Sequence, residues 1–233
     1  MPAIGIVVAT LLSYALGWVI GLPVIVPCLN TAASYPFMVL ALRRGDLRLA
    51  IARMLLWALT MGVCATLMSY ARPSATETLF LRAASYRAEM FEWVATGRGA
   101  ESTPSQFVPQ QLGQAAVFSG IALATAGTVA MPMGAALMNY MGHYVGALAA
   151  RSRHPALTMI LAWHPWSIIR IVSFVILGVV LSVPVLSRVI DVSIDQRSAR
   201  PFVIGACAGL LADIVLKTVL APTWQRLLLK IVG

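Results

Sequence analysis

The chain has 233 residues, 60% of them hydrophobic and 11% charged, with a formal net charge of +9. Soluble domains carry roughly 25% charged and 45–50% apolar residues, so a wholly water-solvated globule is excluded and lipid must solvate part of the surface. The basic excess does not mark a nucleic-acid binder. The arginines stand at the ends of apolar stretches, where they meet headgroups and set orientation, and no basic run interleaved with aromatics occurs.

In chain order, the first charged residue is Arg43. The apolar stretch before it is about twice the ~20 residues that a span requires, and Gly21, Pro23 and Pro27 interrupt it. It therefore reads as two spans, 3–19 and 24–42, with one span plus a re-entrant segment as the alternative. No basic segment precedes the first run, which reads as a retained span rather than a cleaved leader. A basic loop, Arg43 to Arg48, leads to a third span at 50–71, whose core Arg53 and Arg72 bracket.

Segment 72–111 is the long polar stretch. Ser74 and Glu77 have capping-box spacing, and Leu79, Ala83, Tyr86, Met90 and Trp93 recur at helical intervals opposite Arg82, Ser85, Glu89 and Glu92. The pattern predicts one amphipathic helix over 75–96, stopped at Gly97 and lying on the membrane surface or the mouth of the bundle. Residues 97–109 read as a loop. Leu112 to Ala150 carries no charge and reads as one kinked span at 115–137 that continues as an interfacial helix. A basic turn at 151–155 and an apolar, tryptophan-bearing segment broken at Pro165 follow. Arg170 and Arg188 bracket a span at 171–187, a polar loop runs from Asp191 to Arg200, and the last span is 202–221, closed by Pro222.

The expected fold is all-α: a polytopic helical membrane bundle of about six transmembrane helices plus one extramembrane amphipathic helix, forming a single membrane domain over 1–233. Six spans place both termini on the side of the short arginine-rich loops, hence in the cytoplasm, and a bacterial inner membrane fits the short loops.

Asp213 and Lys217 fall four residues apart, on one helix face with Gly205 and Gly209. A carboxylate inside the membrane costs at least about 2.5–3.5 kcal/mol on insertion scales and needs a partner or a purpose. The bland reading is a self-neutralised Asp213–Lys217 pair that fixes helix packing; the functional one is an ion or solute pathway. Asn139 and His143, also four apart, and Arg170 complete the candidate pathway, and Arg170 either ends its span, clamps a lipid phosphate or pairs with Asp213. Gly142 and Gly146 form a second small-residue face, a candidate packing partner for Gly205 and Gly209. Trp163, Trp166, Arg53 and Arg188 are expected as interface anchors.

No catalytic residue set, metal site or cofactor is expected. Haem ligation by His143 and His164 is disfavoured, because one lies near an interface and the other adjoins a proline. The three cysteines, Cys28, Cys64 and Cys207, read as buried small hydrophobes. Three functional readings follow: small-solute or ion transport through a polar bundle interior; a non-catalytic accessory subunit that docks a protein partner through helix 75–96 or the small-residue faces; and a membrane-embedded lipid-modifying enzyme using Glu89, Glu92 or His143. Beyond the lipid bilayer no partner is specified, and no nucleic acid is expected.

Overall fold

The computed structural model describes residues 2–190 and 192–233; Met1 and Asp191, which begin two of the stretches read above, lie outside the described residues. The described chain is helical, without strands. The elements are α1 (Pro2–Ile20), α2 (Ile25–Leu42), α3 (Leu47–Ala71), α4 (Pro73–Leu79), α5 (Ala83–Thr96), a 3-10 turn (Ala100–Ser102), α6 (Pro104–Thr125), α7 (Ala130–Ala149), α8 (Pro155–Ala162), α9 (Pro165–Val189) and α10 (Gln196–Val232). Five of them, α1, α2, α3, α9 and α10, are long and apolar enough to cross a membrane. Their outer faces carry large exposed hydrophobics, such as Ile4 (70% exposed), Leu12 (63%) and Val219 (66%). Such faces are stable only against hydrocarbon, and the chain is an integral membrane protein.

The helix starts follow local chemistry. The Asp46 carboxylate accepts from the Leu49 amide at 2.8 Å and caps α3, and Asp195 caps α10 by accepting from the Arg197 amide at 3.0 Å. Prolines 73, 104, 155 and 165 open α4, α6, α8 and α9, where the missing N–H is an orphan in any residue.

Close contacts fix the helix directions. In the hairpin of α1 and α2, Gly5 faces Phe37 and Gly17 faces Val26. Helix α3 runs back along α2, with Trp57 Nε1 donating to the Asn30 carbonyl and Arg53 to the Phe37 carbonyl. Helices α3 and α7 run parallel: Gly62 meets Met138, and Gly142 and Gly146 lie on the backbone around Ala65, Thr66 and Tyr70. Helices α9 and α10 are antiparallel, joined where Gly209 meets Ser173 and where Trp224 Nε1 donates to the Leu161 carbonyl just before α9.

Several expectations change. The stretch 115–137 is not one kinked span. It belongs to two helices, α6 and α7, separated by a reversal in which Ala126 takes φ +52° and Gly127 φ +79°. Among the described residues seven long helices therefore alternate in direction. Helix α1 begins at the end of the bundle near Phe37, and α10 finishes at the opposite end, where Ser152 Oγ donates to the Ile231 carbonyl. The amphipathic segment 75–96 is two helices, α4 and α5, because Arg82 adopts a left-handed conformation (φ +61°). Ser74 does not cap α4; Arg72 occupies that position without a side-chain bond. The apolar face of α5 is covered by the chain's own helices: Met90, Trp93 and Val94 pack with Tyr144, Trp166 and Leu228. Pro222 does not close the last helix, which continues unbroken to Val232.

Candidate functional site

Six residues of the last two helices and the outer segment bring the buried charges together. On α10, Asp213 and Lys217 share one face, as their spacing dictates, and are 1% and 2% exposed. They do not neutralise each other. The Lys217 ammonium donates to Glu101 Oε1 at 2.9 Å, and Asp213 Oδ2 lies 3.6 Å from Arg170 Nε. The second contact is a charge interaction rather than a hydrogen bond, and both Asp213 oxygens are buried without a hydrogen-bond partner. Arg170 donates from its other end to Ser167 Oγ at 3.1 Å. Lys217 also stands 4.4 Å above the centroid of the Phe107 ring, a cation–π contact.

Glu101 reaches this position because the chain turns sharply after α5, with Gly97 at φ +71° and Gly99 at φ +130°. The turn is pinned on both sides. Trp93 Nε1 donates to Ser102 Oγ at 2.7 Å, Ser102 Oγ donates to the Gly97 carbonyl at 2.7 Å, and Gln225 Nε2 of α10 donates to the Val94 carbonyl at 2.6 Å. Below the turn, His164 stacks on Trp166 with ring centroids 4.7 Å apart and meets Trp93 edge-on at 5.4 Å. Burial pushes the His164 imidazole down to about 4, with Glu101 opposing the shift, so the ring is neutral at physiological pH.

A cavity of about 170 Å³ opens on this cluster, walled by Arg170, Lys217 and Glu101 together with Arg82, Glu89 and Glu92 and the polar side chains of Tyr86 and Gln111. The amide of Gln111 is buried and unpartnered within the chain. Beside the cavity runs a larger groove of about 570 Å³, lined mainly by apolar side chains including Trp57, Met61, Phe118, Met138 and Phe174. The two spaces share the wall formed by Arg82, Gln114, Leu137, Tyr140 and Arg170. At the groove's rim Val24, Val117, Val129 and Met133 are exposed, so it opens toward the apolar exterior.

The candidate pathway thus divides. Arg170, Asp213 and Lys217 belong to one cluster. Asn139 belongs to a second, in which Tyr14 donates to Asn139 Oδ1 at 2.5 Å, Asn139 to Asn30 Oδ1 at 3.0 Å, and Asn30 to Ser13 Oγ at 2.8 Å. This satisfied network ties α1, α2 and α7 together and faces neither cavity nor groove. His143 belongs to a third, with Nδ1 at 3.2 Å from Thr76 Oγ1 and 3.3 Å from Ser69 Oγ, and Nε2 at 4.0 Å from Glu77, itself paired with Arg87 at 2.9 Å. It fastens α4 to the bundle.

The expected packing and anchor residues fall differently as well. Gly142 and Gly146 pack on α3, not on α10; Gly209 packs on α9, and Gly205 faces open space. Trp166 is wholly buried, and Trp163 is half-buried with Nε1 3.3 Å from Thr66 Oγ1. Arg53 is buried with its guanidinium on the Phe37 carbonyl, whereas Arg188 is exposed. Cys64 is buried, but Cys207 and Cys28, the latter in the groove wall, are exposed. Among the described residues no group of three or more His, Cys, Asp or Glu side chains is placed to hold a metal ion.

The Glu101 carboxyl carries a pH signature. Burial pushes its pKa up, but Lys217, Arg170 and the hydrogen bond from Lys217 outweigh burial and hold it below the usual carboxylate value. A carboxyl depressed on folding contributes stability that is fully present above its unfolded value, about 4.3, and is lost as pH falls through the folded value. Melting of the detergent-purified protein should therefore fall more steeply below about pH 4.3 than melting of Glu101→Gln does, and parallel curves for the two proteins would refute the assignment.

Compared with protein-family models, with curated proteins and with solved structures, the chain has no match.

Proposed function

We propose that this chain is a membrane transport protein whose substrate site is the cavity at Arg170, Lys217 and Glu101. The carrying observation is that two ion pairs, Lys217–Glu101 and Arg170–Asp213, sit inside an apolar bundle, and that Lys217, Glu101 and Arg170 of these pairs line an open cavity. Charges at membrane depth are expensive and mark substrate or ion pathways when they face a cavity. A pair serving only to hold helices together is closed over by its neighbours, as the Asn30–Asn139 network is here. Further carboxylates at Glu89 and Glu92 and a further guanidinium at Arg82 give the cavity charge of both signs, suited to a polar or zwitterionic solute.

Alternating access supplies the test. With Cys28, Cys64 and Cys207 replaced by serine, a cysteine substituted for Gln111 is challenged in sealed proteoliposomes with a membrane-impermeant maleimide, from outside and then from inside. Transport requires labelling from both sides in turn, because the site must face each compartment. Labelling from one side alone would defeat the proposal and favour the accessory-subunit reading.

A further inference from the structure

We propose that the solute is a zwitterionic phospholipid with an ammonium-bearing head, which enters sideways from the bilayer and lies with its head in the charged cavity and an acyl chain in the adjoining groove. The inference rests on the cavity being the substrate site.

The groove and the cavity adjoin one another. Arg82, Gln114, Tyr140 and Arg170 belong to the walls of both, so a molecule filling both has its polar-to-apolar transition at these side chains. The groove's volume is within the range of ligand sites, about 300–1,000 Å³, its lining is apolar, and its exposed rim of Val24, Val117, Val129 and Met133 faces hydrocarbon. An annular lipid chain needs nothing more than that groove. The charged chamber at its inner end is what calls for a particular head.

Charge complementarity names the head. Lys217 is engaged by Glu101, and Arg170 faces Asp213. At the cavity wall Arg82, Glu89 and Glu92 form no ion pair among the described residues. The guanidiniums of Arg82 and Arg170 suit a phosphate, and the carboxylates of Glu89 and Glu92 suit an ammonium. An anionic head such as phosphoglycerol would leave both carboxylates facing like charge, and a free phosphate would leave the groove unused.

Native mass spectrometry of the full chain in detergent micelles decides the matter, with dioleoylphosphatidylethanolamine, dioleoylphosphatidylglycerol and chain-free glycerophosphoethanolamine as probes. The expected result is one retained phosphatidylethanolamine, bound about tenfold more tightly than phosphatidylglycerol. The double variant Glu89→Gln, Glu92→Gln should lose that preference while still binding lipid. Gly113 lines the groove, and a Cβ there meets nothing within 4 Å. Gly113→Trp should therefore plug the groove and weaken lipid binding about tenfold, while Gly120→Trp, on the same helix but outside the walls of groove and cavity, leaves it unchanged. Equal affinity for the two lipids would overturn the head assignment. Glycerophosphoethanolamine binding as tightly as the full lipid would overturn the role of the groove. If no probe binds while the cysteine at position 111 labels from both sides, the lipid proposal fails and the transport reading stands; if that labelling is also one-sided, both fail.

Discussion

Leucine in place of Gly146 is expected to prevent the bundle from assembling. At this position α7 lies directly on α3: an added Cβ would fall on the Thr66 carbonyl oxygen and come within 2.7 Å of the Ser69 Cβ and of the Tyr70 amide nitrogen. Those obstacles are mostly backbone, which cannot swing aside as a side-chain end can. Even Gly146→Ala should lower stability at the upper end of the 1–3 kcal/mol typical of overpacking, roughly 3 kcal/mol, and Gly142→Ala, which meets the Ala65 Cβ at 2.6 Å, somewhat less. Gly120→Ala and Gly205→Ala are the controls, since neither Cβ meets anything within 4 Å. Melting of the four variants in detergent should separate them into two pairs, and four equal values would show that the close approach of α3 and α7 does not exist.

The second large effect is expected at the Lys217–Glu101 pair. Lys217 is 2% exposed and its ammonium has Glu101 as its hydrogen-bonded counter-charge. Glu101→Gln leaves a buried cation facing an amide, and removing one partner of a buried pair costs about 3–5 kcal/mol. Removing both is far milder, because hydrophobic replacement of a buried pair is often neutral or stabilising. Lys217→Met combined with Glu101→Gln should therefore be more stable than Glu101→Gln alone, while the site loses its function. Denaturation midpoints of the wild type, the two single variants and the double variant form a thermodynamic cycle. Additive losses would mean that the two charges do not interact. The cycle also separates a site charge from a structural strut: a strut loses stability and function together, whereas here the double variant keeps its fold.

The membrane character of the chain and the first three long helices are legible in the sequence, because a run of about 20 apolar residues needs only to be counted. Asp213 and Lys217 are legible as residues of one face for a similar reason: a spacing of four is one helical turn. What the spacing does not show is that each finds its opposite charge on another element. Glu101 is 116 residues from Lys217 in sequence, in a segment of glycine, serine and proline whose only local signal is that it ends a helix. The reversal between α6 and α7 is hidden for a different reason. Its visible breaker, Pro132, lies in the first turn of α7, where proline is tolerated, while the turn itself uses an alanine in the left-handed region before Gly127, and no charged residue announces it. Arg82 breaks the amphipathic segment in the same unmarked way. Both are conformations that side-chain-bearing residues rarely adopt and that surrounding tertiary contacts must impose.

Helix α10 is 37 residues long, about 55 Å at 1.5 Å per residue, nearly twice the thickness of the hydrocarbon core, about 30 Å. It is one continuous helix through Pro201 and Pro222, each of which removes one backbone hydrogen bond. Lys217 in its middle holds Glu101, and Gln225 near its end holds the Val94 carbonyl, on either side of Pro222. The turn that carries Glu101 is thus tied to the last helix at two points about two turns apart, one in the charged cluster and one beyond it. A covalent bolt between α5 and the end of α10 should therefore hold the Glu101 turn against Lys217.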